Sequence, residues 1–234
     1  MRLDKLLAHM NYGSRKEVKG FIRKGYVLVN GEVVRDDDFK VDEELDEIVI
    51  LEEEVTFKKT VYFIMHKPKG YVCANTDTRD PTIFELLDCA QRGLFSIGRL
   101  DKDTTGLLLI TNDGTLAHEL LSPKYHVNKT YEVTFQGIYK DAFQQKFKEG
   151  IVLEDGYVCK SATFELLDSQ KGRITIHEGK FHQIKRMMSA LGLKVVDLKR
   201  VAFGSLHLPL DLLEGSYREL TEDEIALLRE KEKK

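Results

Sequence analysis

The clearest pattern of apolar and polar positions lies near the start of the chain. Apolar residues at helical spacing predict a first helix at 3–9, and the capping box formed by Ser14 and Glu17 predicts the start of a second. Gly25 ends this second helix, and two short strands follow, joined by an Asn-Gly turn of the kind that favours hairpins. Two helices and a hairpin therefore predict a small N-terminal unit.

The rest of the chain mixes strand-like and helical patterns in no regular order. A charged linker at about residues 52–59 precedes it, so we place a boundary near residue 60 and expect domains at 1–59 and 60–234. Irregular alternation of strands and helices favours an α+β fold over a regular βαβ array. The predicted strands lie at 61–65, 107–110, 131–135, 173–177 and 195–201, and the predicted helices at 116–121, 142–148 and 181–191.

Composition and length describe an ordinary globular protein. Of the 234 residues, 42% are hydrophobic and 32% are charged, and no apolar run approaches the roughly 20 residues that cross a bilayer. No cleavable signal begins the chain, so we expect a cytoplasmic protein with no membrane partner. Cys73, Cys89 and Cys159 lie far apart without CxxC spacing, which predicts reduced thiols and no metal site.

Charge is distributed unevenly, although the net charge is only -3. Residues 2–24 hold seven Lys or Arg against two acids, whereas residues 36–54 hold eleven acids against Lys40 alone. We expect this separation to draw phosphate to one face of the N-terminal unit and to repel it from another. The second helix carries a cationic stripe, which is either a phosphate contact or an ordinary solvated face. Its members are Arg15, Lys16, Lys19 and Arg23.

Residues 98–114, GRLDKDTTGLLLITNDG, combine an acidic loop with an apolar strand. The apolar part, 107–110, is too short for an independent helix and stops at a turn, which predicts an interior strand. Asp101 and Asp103 then lie on the loop that leads into this strand. A carboxylate at the mouth of a buried strand, with cations beside it, is a candidate reactive group for an anionic substrate. The alternative is that both aspartates hydrogen-bond their own backbone.

Two motifs near the start of the chain, RLDKLL and SRKEVKGFIRKGYVLVNGEVV, are similar to the RNA-binding module of ribosomal protein S4. The resemblance covers about residues 1–50. It implies a small α/β domain that docks on structured RNA through its second helix and the approach to that helix. The phosphate contacts that it implies position a protein without choosing a base. They are Arg2, Lys5, Arg15, Lys16, Lys19 and Arg23.

Three motifs of the second segment resemble the pseudouridine synthases: GRLDKDTTG at residue 98, KTYEV at 129 and EGKFHQIKRM at 178. Their order and spacing resemble the RsuA-like branch, which acts on small-subunit ribosomal RNA and also carries an S4-type module. The resemblance covers essentially the whole chain. It implies a catalytic domain with a mixed, mainly antiparallel sheet flanked by helices.

The resemblance also implies an activity, the isomerisation of uridine to pseudouridine at the uridine-516 site of 16S ribosomal RNA. No redox change or group donor enters this reaction, so we expect no cofactor. We expect a monomer that acts on ribosomal RNA or on a partly assembled small ribosomal subunit. Two alternatives stay open: a related synthase for 23S ribosomal RNA or tRNA, and a non-catalytic RNA-binding factor in ribosome assembly.

Three residues carry the implied catalysis. Asp101 matches the essential aspartate, which attacks the sugar or the base, or assists elimination from the sugar. Lys185 matches the Arg or Lys that keeps this carboxylate charged, and lysine does so as a compact point charge without a planar fork. Tyr131 matches the active-site tyrosine that stacks against the flipped base. From the residues alone, Lys185 is equally a solvated cation and Tyr131 a core aromatic.

Further residues are implied to bind the substrate. Arg99 fills the space of the everted base or grips a neighbouring phosphate, and Leu198 lines the same pocket unless it is simply a core residue. Lys102 and Arg186 belong to a positive track around the cleft. The rest of the expected track is Lys124, Lys129, Lys180, Lys199 and Arg200.

Overall fold

A computed structural model describes residues 1–10, 12–43, 45–55, 60–88, 93–122 and 127–229. Contacts between Cα atoms group the chain into two compact units. The first contains Met1–Val61 and Asp88–Leu94, and the second contains Tyr62–Leu87 and Phe95–Lys234. The predicted domain division at residue 60 stays a prediction, because such a grouping does not show that either part folds alone.

Two helices, α1 (Leu3–His9) and α2 (Arg15–Lys24), begin the first unit as the sequence predicts. The capping box is present: the Ser14 hydroxyl accepts from the Glu17 N–H, and the Glu17 carboxylate accepts from the Ser14 N–H at 2.7 Å. Gly25 ends α2 in the left-handed region (φ 82°), where a side chain would be strained. Local chemistry therefore sets both ends of α2.

A small antiparallel sheet completes the first unit. The predicted hairpin is present as β1 (Val27–Val29) and β2 (Glu32–Val33), and two more strands, β3 (Ile48–Ile50) and β4 (Glu53–Glu54), give the order β2-β1-β3-β4. Both turn residues of the hairpin have positive φ, as this type of turn requires. Buried side chains from helices and strands share one core, among them Leu3, Leu6, Val18, Ile22 and Ile50.

The prediction of a linker at residues 52–59 is wrong for the first part of this range. Glu53 and Glu54 pair with β3, and Val55 is 8% exposed in the core of the first unit. Both glutamates of this short strand face solvent, so its sequence looks like that of a linker. Residues 56–59 lie outside the described residues.

In the described part of the second unit, nine strands form one sheet. They are β5 (Tyr62–Lys67), β6 (Phe95–Ile97), β7 (Thr105–Thr111), β8 (Lys129–Gln136), β9 (Thr163–Asp168), β10 (Lys171–Ile176), β11 (Lys194–Phe203), β12 (Leu206–His207) and β13 (Tyr217–Glu219). The main path runs β13-β5-β7-β11-β8-β10-β9, with β6 beside β7 and β12 beside β11. All pairs are antiparallel except that of β7 with β11.

Four helices pack against strands of this sheet. They are α3 (Gly114–Leu121), α4 (Ala142–Glu149), α5 (Gln183–Ala190) and α6 (Glu222–Arg229). The predicted α+β fold with a mixed, mainly antiparallel sheet is therefore confirmed. The helix predicted at 181–191 is shorter than expected, because His182 lies in the left-handed region (φ 49°) and α5 begins only after it.

Strand β7 is buried at every residue, as its apolar sequence predicts. Gly106 has a φ of 107°, and a Cβ there would lie 2.2 Å from the Arg200 carbonyl oxygen on β11. Only glycine therefore lets the two strands approach this closely at their parallel pairing. The close pairing fixes the end of the loop that precedes β7, residues 98–104.

Two of the three cysteines lie among the described residues. Cys73 and Cys159 are buried and free, as expected of reduced thiols, whereas Cys89 lies outside the described residues. Burial raises the pKa of both described thiols, which keeps them protonated near neutral pH. No helix in the described part of the chain is long and apolar enough to span a membrane.

Candidate active site

A buried lysine holds the loop at 98–104. Lys67, the last residue of β5, is fully buried, and its ammonium donates to the carbonyl oxygens of Pro68, Lys102 and Thr104 at 2.9, 3.4 and 3.0 Å. Burial lowers the pKa of Lys67. The role of Lys67 was not predicted, although a cation at the end of an otherwise apolar strand was a signal for it.

A buried thiol holds the residue before Asp101. The Leu100 N–H donates to Cys73 Sγ at 3.3 Å, and the thiol donates to the Leu100 carbonyl oxygen at 3.5 Å. On the other side, the Gly70 N–H donates to the Lys102 carbonyl oxygen at 2.8 Å. The backbone on both sides of Asp101 is therefore fixed by hydrogen bonds, as a preorganised reactive group requires.

The structure brings Asp101 and Lys185 together. Lys185 Nζ, on α5, lies 2.9 Å from Asp101 Oδ2 and 2.5 Å from Asp103 Oδ1. Burial acts to lower the pKa of Lys185, but its hydrogen bonds to Asp103 and Asp101 outweigh burial and raise that pKa. Burial also acts to raise the pKa of Asp103, yet the bond from Lys185 holds it below its ordinary value. One ammonium therefore binds two carboxyl groups, and the contact of Asp103 was not foreseen.

His182 approaches the other oxygen of the Asp101 carboxyl group. Its Nε2 lies 3.7 Å from Asp101 Oδ1, and its side chain is 41% exposed. Its left-handed backbone is one that non-glycine residues adopt rarely, most often at functional sites. Asp101 is thus contacted from two sides by residues of one motif, EGKFHQIKRM.

Two connected cavities lie beside Asp101. A cleft of about 1200 Å³ is lined by four of the predicted residues, Arg99, Asp101, Lys102 and Lys185. A recess of about 80 Å³ shares Asp101 and Lys185 with the cleft, and it is also lined by Tyr131 and Leu198, which are 7% and 5% exposed. The carboxyl group, the ammonium, the aromatic ring and the apolar side chain therefore meet in one place.

Arg99 and Lys102 lie on the same loop but differ in their contacts. Arg99 is exposed and makes no hydrogen bond or ion pair with any described residue. Lys102 Nζ lies 2.5 Å from Asp80 Oδ1. Arg99 can therefore bind an anion without breaking a protein contact, whereas Lys102 cannot.

Arg186 forms its ion pair outside the cleft and the recess. Its Nη2 lies 2.6 Å from Asp155 Oδ2, and it lines neither the cleft nor the recess. Neighbouring positions on a helix point about 100° apart, so Arg186 does not share the direction of Lys185. Its contact with substrate stays a prediction, and the described side chains do not bring it to the cleft.

The positive track predicted around the cleft is only partly at the surface. Arg200 is 1% exposed, and its Nε donates to a backbone carbonyl of β7 at 2.7 Å. Lys129 is half-buried and donates to a backbone carbonyl at 3.0 Å. Both predictions are wrong because β8 and β11 lie inside the sheet, where alternate side chains point into the protein. Lys180 lines the cleft, whereas Lys124 lies outside the described residues.

Replacing Lys129 by Met is expected to stabilise the protein at neutral pH. Burial, helped by Arg200, lowers the pKa of Lys129 to about 8, so the charged amine opposes folding. The unfolded chain keeps its proton up to the ordinary pKa of 10.5, and the wild type therefore gains stability as the pH rises from about 8 to 10.5. We expect Lys129→Met to raise the free energy of unfolding by about 2 kcal/mol at pH 7, and less at higher pH.

Urea unfolding between about pH 6 and pH 10 measures this difference. Lys171→Met, at an exposed lysine of β10, is the matched control. A difference between Lys129→Met and wild type that stays constant over this range would contradict the burial of the charge.

In the first unit, the cationic stripe is paired with aspartates. Asp4 of α1 is fully buried and lies 3.1 Å from Arg15 Nη2 and 3.6 Å from Lys19 Nζ. Asp37 lies 3.2 Å from Lys19 Nζ and 2.8 Å from Arg23 Nη2. The expected separation of basic and acidic faces is therefore wrong, because part of the acidic segment folds onto the basic helix.

The other predicted phosphate contacts of this unit differ in whether they form ion pairs. Arg2 binds Asp4 at 3.0 Å and also Asp38. Lys5 and Lys16 are exposed and make no ion pair with any described residue. Burial of Asp4 acts to raise its pKa, but hydrogen bonds from Arg2 and Arg15 lower it, so Asp4 stays charged beside the cations.

Both parts of the chain match known families. A family model described as RNA pseudouridylate synthase matches residues 61–190, and an S4 domain model matches residues 1–47. A solved structure described as a crystal structure of pseudouridylate synthase has a TM-score of 0.70 and 41% identity, covering 97% of this chain and 99% of that one.

Curated relatives match along nearly their whole length. The uncharacterized RNA pseudouridine synthase YtzG of Bacillus subtilis is 44% identical over 98% of this chain and 99% of its own. The enzymes named ribosomal small subunit pseudouridine synthase A from Haemophilus influenzae and Escherichia coli are 42% and 40% identical. Each covers 97% of this chain and 99% of its own.

Proposed function

Since this chain belongs to the RNA pseudouridine synthase family, in its RsuA-like small-subunit branch, we propose that it acts on 16S ribosomal RNA at the uridine-516 site. Two relatives that match nearly from end to end are named as ribosomal small subunit synthases, which supports a small-subunit target. The uridine-516 site is what the family resemblance of the sequence motifs implies. In this proposal Asp101, Tyr131 and Lys185 are the catalytic residues, and Arg99, Leu198 and Lys102 contact the substrate.

The observation that carries the proposal is the contact of Asp101 with Lys185 in a recess that is also lined by Tyr131 and Arg99. Carboxyl groups repel RNA phosphates, so a protein that only binds RNA gains nothing from them at the floor of a cationic cleft. A reaction on the nucleoside, in contrast, needs such a group. The site therefore favours the enzyme over a non-catalytic assembly factor.

The reaction rearranges one nucleoside without a co-reactant. The N1–C1′ bond of uridine breaks, the uracil turns within the site, and C5 bonds to C1′. C5 loses a proton and N1 gains one, so that the atoms balance. Asp101 supplies the carboxylate for attack or elimination and Lys185 keeps it charged and in place, while Tyr131 and Leu198 confine the uracil.

The target base must leave its stack to reach Asp101, because the uridine lies in folded RNA. Arg99 is placed for this step, since it lies on the cleft wall and has no protein partner among the described residues. Its guanidinium binds the phosphate of the everted nucleotide or fills the space that the base leaves.

Carbodiimide mapping of pseudouridine in all ribosomal RNA and tRNA, from cells with and without the protein, tests the proposed target. We expect the modification at the uridine-516 site to disappear with the protein. Loss at a 23S or tRNA position instead would replace the proposed target by that of a related synthase, and an unchanged map would contradict the proposal altogether.

We also propose that the S4 domain docks on RNA through α2 and the residues before it. Phosphates compete there with Asp4 and Asp37 for the cations, so binding exchanges one set of ion pairs for another. The proposed contacts are Arg2, Lys5, Arg15, Lys16, Lys19 and Arg23.

Replacing Arg15 and Lys19 together by Glu is expected to weaken RNA binding and to flatten its salt dependence. Two lost phosphate contacts lower the slope of log affinity against log salt by about 2. Fluorescence anisotropy with a 16S ribosomal RNA transcript across a KCl series measures this slope. Lys146→Glu with Lys148→Glu, on α4, makes the same change of charge elsewhere. An unchanged slope in the Arg15 and Lys19 variant would remove α2 from the interface.

A further inference from the structure

Phe181 stands in solvent at the cleft that holds Asp101. The residue is 76% exposed and lines the cleft just before α5. Burying a phenylalanine side chain is favourable, and this ring forgoes most of that burial in the free protein. An aromatic ring so exposed beside an active site suggests that a ligand covers it.

Contacts within the protein fix the position of the Phe181 ring. It stacks on the His182 imidazole, with centroids 3.8 Å apart and planes at 18°. The turn is braced by Gln183, whose Oε1 accepts from the Lys180 N–H at 3.0 Å and whose Nε2 donates to Glu178 at 2.7 Å. One ring face is therefore covered by imidazole, and a ligand that stacks on the other pays little ordering entropy.

The surroundings of Phe181 select the kind of ligand. Four cations line the same cleft: Arg99, Lys102, Lys180 and Lys185. An aromatic face among cations suits a nucleobase with its phosphates, since every base offers a π-face and the backbone is anionic. An apolar protein surface or a lipid tail would leave the guanidinium of Arg99, which has no ion pair with a described residue, buried without a partner.

We propose that Phe181 is the stacking platform for an unpaired nucleobase next to the target uridine, with Arg99 binding the adjoining phosphate. The inference rests on the proposed function, because the target uridine itself occupies the recess of Asp101, Tyr131 and Leu198. When that base leaves its stack, its neighbour loses a stacking partner, and the Phe181 ring replaces it.

Fluorescence tests the contact without any turnover. The chain has no tryptophan, so Phe181→Trp in an Asp101→Asn background has a single indole. We expect a 16S ribosomal RNA transcript to quench this indole, and a blunt RNA duplex to quench it much less. Leu167→Trp in the same background, at a 43% exposed position on β9 that lines neither cavity, is the matched control. Equal quenching of both indoles, or none, would overturn the inference.

Kinetics test whether the contact serves the reaction. Phe181→Ala is expected to lower kcat/KM by roughly 5- to 150-fold, mainly through KM, because a stacked base contributes about 1–3 kcal/mol. Phe181→Tyr is expected to keep most of the wild-type kcat/KM, whereas Phe181→Leu, which lacks a ring, is expected to lose it. If wild type forms pseudouridine and Phe181→Ala does so equally well, the inference fails while the proposed function stands. If wild type forms none, the proposed function fails, and the quenching experiment alone decides the inference.

Discussion

Replacing Asp101 by Asn is expected to abolish pseudouridine formation while the protein still folds and binds RNA. The amide has the size of the carboxyl group but carries no charge, so it neither attacks the nucleoside nor accepts its proton. A general acid–base role of this kind typically contributes about 10²- to 10⁴-fold in rate. Carbodiimide mapping of ribosomal RNA from cells that carry only the variant measures the loss in vivo.

The neighbouring aspartate provides a matched control for this prediction. Asp103→Asn removes the other carboxyl group that Lys185 contacts and leaves Asp101 in place. We expect it to slow conversion by no more than about tenfold, since it touches the ammonium and not the reacting atoms. Normal modification in cells with Asp101→Asn alone, or equal losses in both variants, would contradict the assigned role of Asp101.

Replacing Lys185 by Met is expected to slow conversion by roughly 10²- to 10³-fold. The thioether fills a similar volume but removes the ammonium that contacts both Asp101 and Asp103, so neither carboxyl group keeps its cationic partner. Single-turnover rates of the variant and of wild type measure this loss, and circular dichroism of the two proteins separates it from misfolding.

Lys185→Arg keeps the positive charge and serves as the control for Lys185→Met. The guanidinium is planar and larger, so we expect a loss of at most about tenfold. Equal single-turnover rates of Lys185→Met and wild type would mean that this ammonium does not support the reaction at Asp101.

What the sequence predicts well is local. The ends of α2 follow from a capping box and a glycine a few residues apart, and β7 follows from an unbroken apolar run. The pair Asp101 and Lys185 is different, since 84 positions separate the two residues, and only the resemblance to a family joined them in advance.

The missed contacts have a common physical reason. Neither Lys67 under the catalytic loop nor the ion pair of Arg186 with Asp155 has a periodic signal, because each depends on which loop folds against which strand or helix. Asp37 shows the same limit, since its distance from α2 along the chain gave no sign that it would bind Lys19 and Arg23.

The ammonium shared between Asp101 and Asp103 has an electrostatic consequence for how a nucleotide enters. Two carboxyl groups against one ammonium leave an excess of negative charge beside Lys185, whereas the guanidinium of Arg99 lines the same cleft. The carboxyl groups repel a phosphate and the guanidinium attracts it, while an uncharged uracil meets neither effect. We therefore expect the two ends of an incoming nucleotide to be sorted by charge, with its base toward Asp101 and a phosphate toward Arg99.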